Sequence, residues 1–157
     1  MALEPLLGHL YIILNRIYMK VKILKEGGSL PTRKYDKDAG FDLYAPYDGL
    51  VPAGGRVKVG LHIAVEVNEG TVGLVQGRSG LAVKYGITTI GNVIDCGYIG
   101  EISAVLLNTS DEDFVFYKGD RIAQLIVLKL SYPECVIEAD SLYSGNRGDS
   151  GYGSSGK

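Results

Sequence analysis

The sequence predicts an all-β protein, a jelly-roll-type β-barrel with a flexible C-terminal arm. Short runs of β-branched, alternating residues recur roughly every 8–12 positions with turn chemistry between them, the spacing of a barrel or sandwich. Glycine makes up 22 of 157 residues, about twice the usual ~7%, with no G-x-y repeat. Those glycines therefore serve turns, bulges and close backbone approach. Helical texture inside the domain is confined to the short stretch from Ser79 to Tyr85. An apolar fraction of 46% and a charged fraction of 22% are ordinary for a globular chain, and the length suits one domain.

Taken in order, residues 1–18 read as an extension outside the fold. Their apolar run from Leu3 to Ile17 is broken by His9, Asn15 and Arg16. The uninterrupted part, Leu10 to Leu14, falls far short of the ~20 residues a membrane span needs. The segment also has neither the basic start nor the small-residue cleavage site of a signal peptide. A helix packed on the domain is the alternative for this segment. The domain itself is expected over residues 19–143. Lys20 to Lys25 alternates like a half-buried strand. Leu50 to Arg56 reads as a turn cluster, followed by strands over Val57–Leu61 and His62–Val67, a turn at Asn68-Glu69-Gly70 and a strand over Thr71–Gln76. Strands are expected again over Ile87–Ile94 and Ile99–Leu107, with a turn at Cys96-Gly97 between them. Phe114 to Tyr117 leads through Lys118-Gly119-Asp120 into Arg121–Leu130, the strongest apolar run. Residues 144–157, rich in Gly and Ser, read as a flexible arm.

Composition narrows the function. A net charge of −2 does not suit a surface that holds a long polyanion, so nucleic acid is not an expected partner; nor is a membrane. Two cysteines without CxxC spacing point to a reduced, cytoplasmic setting. A locally positive pocket for a phosphorylated metabolite is still allowed, and the arm has the parts for one. Arg147 offers a bidentate fork for phosphate oxygens. Gly148, Gly151, Gly153 and Gly156 let backbone N–H groups converge on them. Tyr152 gives a face for a base, and Ser154 a hydroxyl. The ordinary alternative is a Gly/Ser tail with an incidental cation.

Four further segments carry chemistry: Asp38-Ala39-Gly40-Phe41-Asp42-Leu43-Tyr44-Ala45, Gly77-Arg78-Ser79-Gly80-Leu81-Ala82, Asn92-Val93-Ile94-Asp95-Cys96-Gly97-Tyr98-Ile99-Gly100-Glu101-Ile102 and Lys118-Gly119-Asp120-Arg121-Ile122-Ala123-Gln124-Leu125-Ile126. Asp95, in strand-forming residues just before a turn, is either a carboxylate held at a pocket edge or a turn cap. Arg78, Ser79 and Gly80 at the start of a short helical turn are either a phosphate cradle or a surface turn. Gln124 is an amide inside an apolar run, and a buried amide wants a partner.

With the arm as the fifth, these segments resemble in order the five motifs of the trimeric dUTPases, over about Met19 to Gly156. The resemblance implies a jelly-roll subunit in a homotrimer whose active sites are shared between subunits. It implies hydrolysis of dUTP to dUMP and pyrophosphate, with Mg²⁺ bound through the substrate phosphates and not by protein side chains. In these terms Asp95 is the general base that activates a water for attack on the α-phosphorus. Asn92, Val93 and Ile94 belong to the hairpin that reads uracil by its backbone. Tyr98 lies under the deoxyribose and rejects a 2′-hydroxyl. Arg78, Ser79, Gly80 and Gln124 meet the phosphates or the water, Asp42 supports them from behind, and Arg147, Tyr152, Gly153 and Ser154 close over the substrate.

Some positions depart from the family pattern. Gly77 stands where Pro is common, which is expected to loosen the approach to Arg78. Asn92 stands where Gly is usual, so a positive φ is expected at an asparagine. Thr89 falls near the place of an asparagine that some members carry, and no role is transferred to it. Tyr152 replaces a more usual Phe and keeps the stacking face. Two rivals remain. One is a dCTP deaminase-type relative, which would need a Glu where this chain has Val105. The other is an inactive nucleotide-binding regulator, for which Asp95 and the complete arm are unneeded.

Overall fold

The computed structural model describes residues 19–131 and 135–142. The expected extension, and Arg147, Tyr152, Gly153 and Ser154 of the arm, lie outside these residues. Eleven short strands and one helix are described: β1 (Val21–Ile23), β2 (Phe41–Tyr44), β3 (Gly49–Val51), β4 (Arg56–Gly60), β5 (Ile63–Val65), β6 (Thr71–Gln76), α1 (Ser79–Tyr85), β7 (Ile87–Ile90), β8 (Val93–Ile94), β9 (Ser103–Asn108), β10 (Phe114–Phe116) and β11 (Arg121–Lys129). All pairings are antiparallel: a four-stranded sheet β2-β11-β6-β8, a three-stranded sheet β4-β9-β7, and the pairs β1-β5 and β10-β3.

The sheets bury their inner faces in one core that includes Leu43, Val59, Ile63, Leu106, Phe116 and Leu125. Strand geometry sends alternate side chains to opposite faces. In β9 this puts Ala104, Leu106 and Asn108 inward and leaves Ser103, Val105 and Leu107 half-buried on the other face. Each fully buried Leu, Ile or Phe stabilises the fold by about 1.5–3 kcal/mol. The inward position of Asn108 is tolerated because its amide is fully used. Nδ2 donates to the carbonyls of Val51 (3.1 Å) and Glu112 (2.7 Å), and Oδ1 accepts from the N–H (2.9 Å) and hydroxyl (2.8 Å) of Ser110. It ties β3 to the turn between β9 and β10.

Several expected boundaries move. Leu50 to Arg56 is not wholly a turn: Leu50 and Val51 pair in β3 with Val115 and Phe114, and Arg56 opens β4. Residues Phe41–Tyr44, which were not among the expected strands, form β2, paired with β11. The run Ile87–Ile94 is interrupted at Gly91-Asn92, and Ile99–Ile102 precedes β9 as irregular chain. The run His62–Val67 begins with a break. His62 has φ 59°, so β4 and β5 are separate strands with a kink between them. The short helix lies where its texture indicated, with Gly86 in the left-handed conformation as its C-cap.

Candidate active site

Two clefts hold some of the described motif residues, and they share no lining residue. The first is a cavity of about 480 Å³ lined by Asn92, Val93, Ile94, Asp95 and Tyr98 on one side and by Lys58, Ser103 and Val105 on another. Its hairpin wall is held in register. β8 pairs with β6 through Gly73–Ile94 and Leu74–Val93, and the Asn92 carbonyl accepts the Val75 N–H at 2.8 Å. The left-handed residue here is Gly91, φ 59°, and not Asn92. The glycine absorbs the strain one position earlier, so the asparagine costs the hairpin nothing. Asp95 opens a tight turn: its carbonyl accepts the Tyr98 N–H at 3.2 Å, with Gly97 left-handed at φ 85°. Glycine at the third place of such a turn is what a type II turn requires. The result is an exposed Asp95 carboxylate at the cavity rim. The Tyr98 ring lies beside it, with the hydroxyl donating to the Glu101 carbonyl at 2.9 Å.

The second cleft is lined by Arg78 and Arg121, and also by Glu112, Asp113 and Asp120. Arg78 is the N-cap residue of α1, and Arg121 begins β11. Asp42 of β2 holds both: Oδ1 is 3.1 Å from Arg78 Nε and Oδ2 is 3.3 Å from Arg121 Nη1. Arg78 Nη1 also donates to the Arg121 carbonyl at 3.0 Å. One carboxylate thus fixes two guanidinium groups, which keep the remaining donors of their forks available to an anion. A bulge makes this contact. The β2–β11 register shifts between Arg121 and Ala123. Both Ile122 and Ala123 are buried, and Gln124 comes directly opposite Asp42. Bulges re-aim side chains in this way beside functional sites.

Gln124 finds its partner in the backbone: Nε2 donates to the Gly77 carbonyl at 2.8 Å. The segment leading to Arg78 is therefore held down, not loosened. Gly77 also lies so close to β7 that a Cβ there would stand 3.3 Å from Thr88 Cα. Ser79 and Gly80 begin α1, and Gly80 has open space around it. The structure thus groups Asn92, Val93, Ile94, Asp95 and Tyr98 in one cavity, and ties Asp42 to Arg78 of the second cleft and Gln124 to the Gly77 carbonyl just before it. In the sequence Arg121 stands only as one member of a motif, with no role of its own. Its one visible signal is a cation at the mouth of the strongest apolar run. Among the described residues no three His, Cys, Asp or Glu side chains converge. No helix among the described residues is long and apolar enough to cross a membrane.

Comparison with known proteins bears on this geometry directly. The dUTPase family model matches residues 26–156. The chain is 45% identical over 140 residues to the deoxyuridine 5'-triphosphate nucleotidohydrolase of Debaryomyces hansenii, covering 88% of each. It is 43% identical over 136 residues to that of Paramecium bursaria Chlorella virus 1, covering 87% of this chain and 96% of the relative. Among solved structures, the Staphylococcus bacteriophage 80alpha dUTPase with dUpNHpp superposes with a TM-score of 0.82 at 26% identity, over 89% of this chain and 99% of that one. A dUTPase from phage phi11 of S. aureus, described for its coordination of a structural Mg(II) ion, has the same fold, with a TM-score of 0.73 at 22% identity over 80% of this chain and 98% of that one.

Proposed function

The chain belongs to the dUTPase family and hydrolyses dUTP to dUMP and pyrophosphate, and we propose that it does so at a site assembled from the two clefts on different subunits of a homotrimer. The observation that carries this reading is the separation of the chemistry on one chain. The carboxylate and hairpin line one cavity and the paired arginines another, with no residue in common. A single substrate needs both, and a neighbouring copy supplies what each cavity lacks.

In this reading the uracil enters against the Asn92–Ile94 hairpin, whose backbone groups match its edge. A cytosine leaves polar groups unmet there, at roughly 1–3 kcal/mol for each. Tyr98 walls the sugar and excludes a 2′-hydroxyl. Arg78, Ser79, Gly80 and Arg121 face the phosphates, with Asp42 setting the two guanidinium groups and Gln124 holding the Arg78 segment. Arg147, Tyr152, Gly153 and Ser154 of the arm at 144–157 close over the nucleotide bound to the domain at 19–143. Asp95 orients a water and takes its proton as the oxygen attacks the α-phosphorus. The bond from that phosphorus to the bridging oxygen of the β-phosphate breaks, and pyrophosphate leaves.

Magnesium fits this arrangement as part of the substrate. Both oxygens of Asp42 are engaged by arginines, so the ion would enter on the triphosphate oxygens with its waters, where it offsets their charge.

The deaminase alternative lacks its proton shuttle, because Val105 occupies the cavity wall where a glutamate would be required. The test is pyrophosphate release from dUTP, dCTP, UTP and dTTP, with and without Mg²⁺, alongside the oligomeric mass. Cleavage of dUTP alone by a trimer is expected. Consumption of dCTP with dUTP left intact would overturn the reading.

A further inference from the structure

Glu101 lines the same cavity as Tyr98, yet its carboxylate turns to the body of the domain. Oε2 accepts from Lys25 Nζ at 2.9 Å, and Oε1 accepts from the His62 N–H at 2.9 Å. The hydrogen bond from Lys25, then that from the His62 N–H, holds the Glu101 carboxyl below its ordinary range, so it carries its charge. His62 reaches this position only by a left-handed backbone, φ 59°, which is costly for a residue with a side chain. On either side of it, Ile102 bridges the strands, accepting the Leu61 N–H and donating to the Ile63 carbonyl. His62 is thereby extruded between them. It is tied in several ways: the carbonyl accepts the Leu24 N–H at 2.8 Å, the ring Nδ1 meets the Glu26 carbonyl at 2.7 Å, and the ring packs on Tyr47. Strain that persists under so many constraints marks a position with a task.

Two glycines keep the space clear. A Cβ at Gly60 would stand 2.6 Å from Glu101 Oε1, and one at Gly100 would stand 2.5 Å from the Tyr98 hydroxyl oxygen. The Tyr98 ring can therefore fold back over Gly100 and donate to the Glu101 carbonyl. Without that bond, an exposed ring on a tight turn would have free choice of rotamer.

We propose that Glu101, clamped by Lys25 and the His62 N–H, is the positioning residue that fixes the Tyr98 ring and so sets discrimination between deoxyribose and ribose. The inference rests on the reading of Tyr98 as the sugar wall. A wall rejects a 2′-hydroxyl only if it cannot yield, and the clamp is what prevents it from yielding.

The experiment measures kcat and KM of the full chain for dUTP and UTP in Lys25→Met, Glu101→Ala, Tyr98→Phe, Tyr98→Ala and the Lys25→Met/Tyr98→Phe pair. Lys25 is an exposed side chain, so its variant folds even if Glu101→Ala does not. The dUTP-over-UTP ratio of kcat/KM is expected to fall roughly 3- to 10-fold in Lys25→Met, with kcat for dUTP unchanged. Tyr98→Phe, which removes the hydroxyl's bond to the Glu101 carbonyl, is expected to give a comparable fall, and adding Lys25→Met to it no more, because the clamp on Glu101 acts on the ring only through that bond. An unchanged ratio in Lys25→Met, or a full second loss in the pair, overturns the clamp while Tyr98→Ala still relaxes discrimination. Intact discrimination in Tyr98→Ala would instead overturn the role of Tyr98, and the clamp with it.

Discussion

Replacing Gly40 by alanine tests whether the cleft that holds Arg78 and Arg121 depends on the anchoring of its loop. Gly40 lies outside the left-handed region, so alanine suits its backbone. The obstacle is space. A Cβ there would stand 2.2 Å from Gln124 Oε1, 3.0 Å from its Cδ and 3.2 Å from its Cβ. Restoring ordinary contact requires the amide to move by roughly 1 Å or more. The Gln124–Gly77 hydrogen bond, 2.8 Å long, does not survive such a shift, because hydrogen bonds fade beyond about 3.2–3.5 Å. Losing it costs about 0.5–1.5 kcal/mol of stability. For a chain of this size that lowers Tm by only a few degrees, at ~2–4 °C per kcal/mol. The catalytic effect is larger. The freed Gly77 carbonyl releases the segment that aims Arg78, and a misplacement of about 1 Å can cost on the order of 100-fold. Gly40→Ala is therefore expected to lower kcat/KM for dUTP by roughly 10- to 100-fold, read by pyrophosphate release, while thermal unfolding shifts by a few degrees. Activity within twofold of wild type would refute the anchoring argument. So would a Tm loss large enough to account for the activity by unfolding.

Three other changes have definite expectations. Asp95→Asn should reduce kcat by about 10²–10⁴-fold, the range of a general base, while calorimetric binding of dUpNHpp is retained. Asn108→Ala should destabilise the fold by about 2–4 kcal/mol in a denaturant titration, because it strands carbonyls of Val51 and Glu112 in or near the core. The Glu101 carboxyl is held below its ordinary value near 4.5 by Lys25 first and the His62 N–H second. A depressed folded-state value means that its contribution is present above the unfolded value and is lost as pH falls through the folded one. Wild type should therefore lose more stability than Glu101→Gln as pH is lowered below about 4.5, and equal losses would show that the clamp carries no charge.

Much of the architecture follows from local pattern. Thr71–Gln76 is bounded by turn residues and forms β6 with the same limits; the glycines at 86, 97 and 119 adopt the positive φ that their turn positions imply. The motif residues were likewise legible as types: an acid before a glycine turn at Asp95, a cation before a short helix at Arg78. What composition and spacing decided by themselves is the all-β class, the residues able to do the chemistry and, by resemblance, the reaction. Tertiary structure decided their geometry. β2 exists because β11 pairs with it, and a one-residue bulge at Ile122 brings Arg121 and Gln124 to Asp42 where a regular strand would have parted them. The left-handed turn at His62 answers to Glu101, 39 positions away. Periodicity reports which way a side chain points only while the register is regular, and register is a property of two strands. No single stretch of chain carries the information for where it slips.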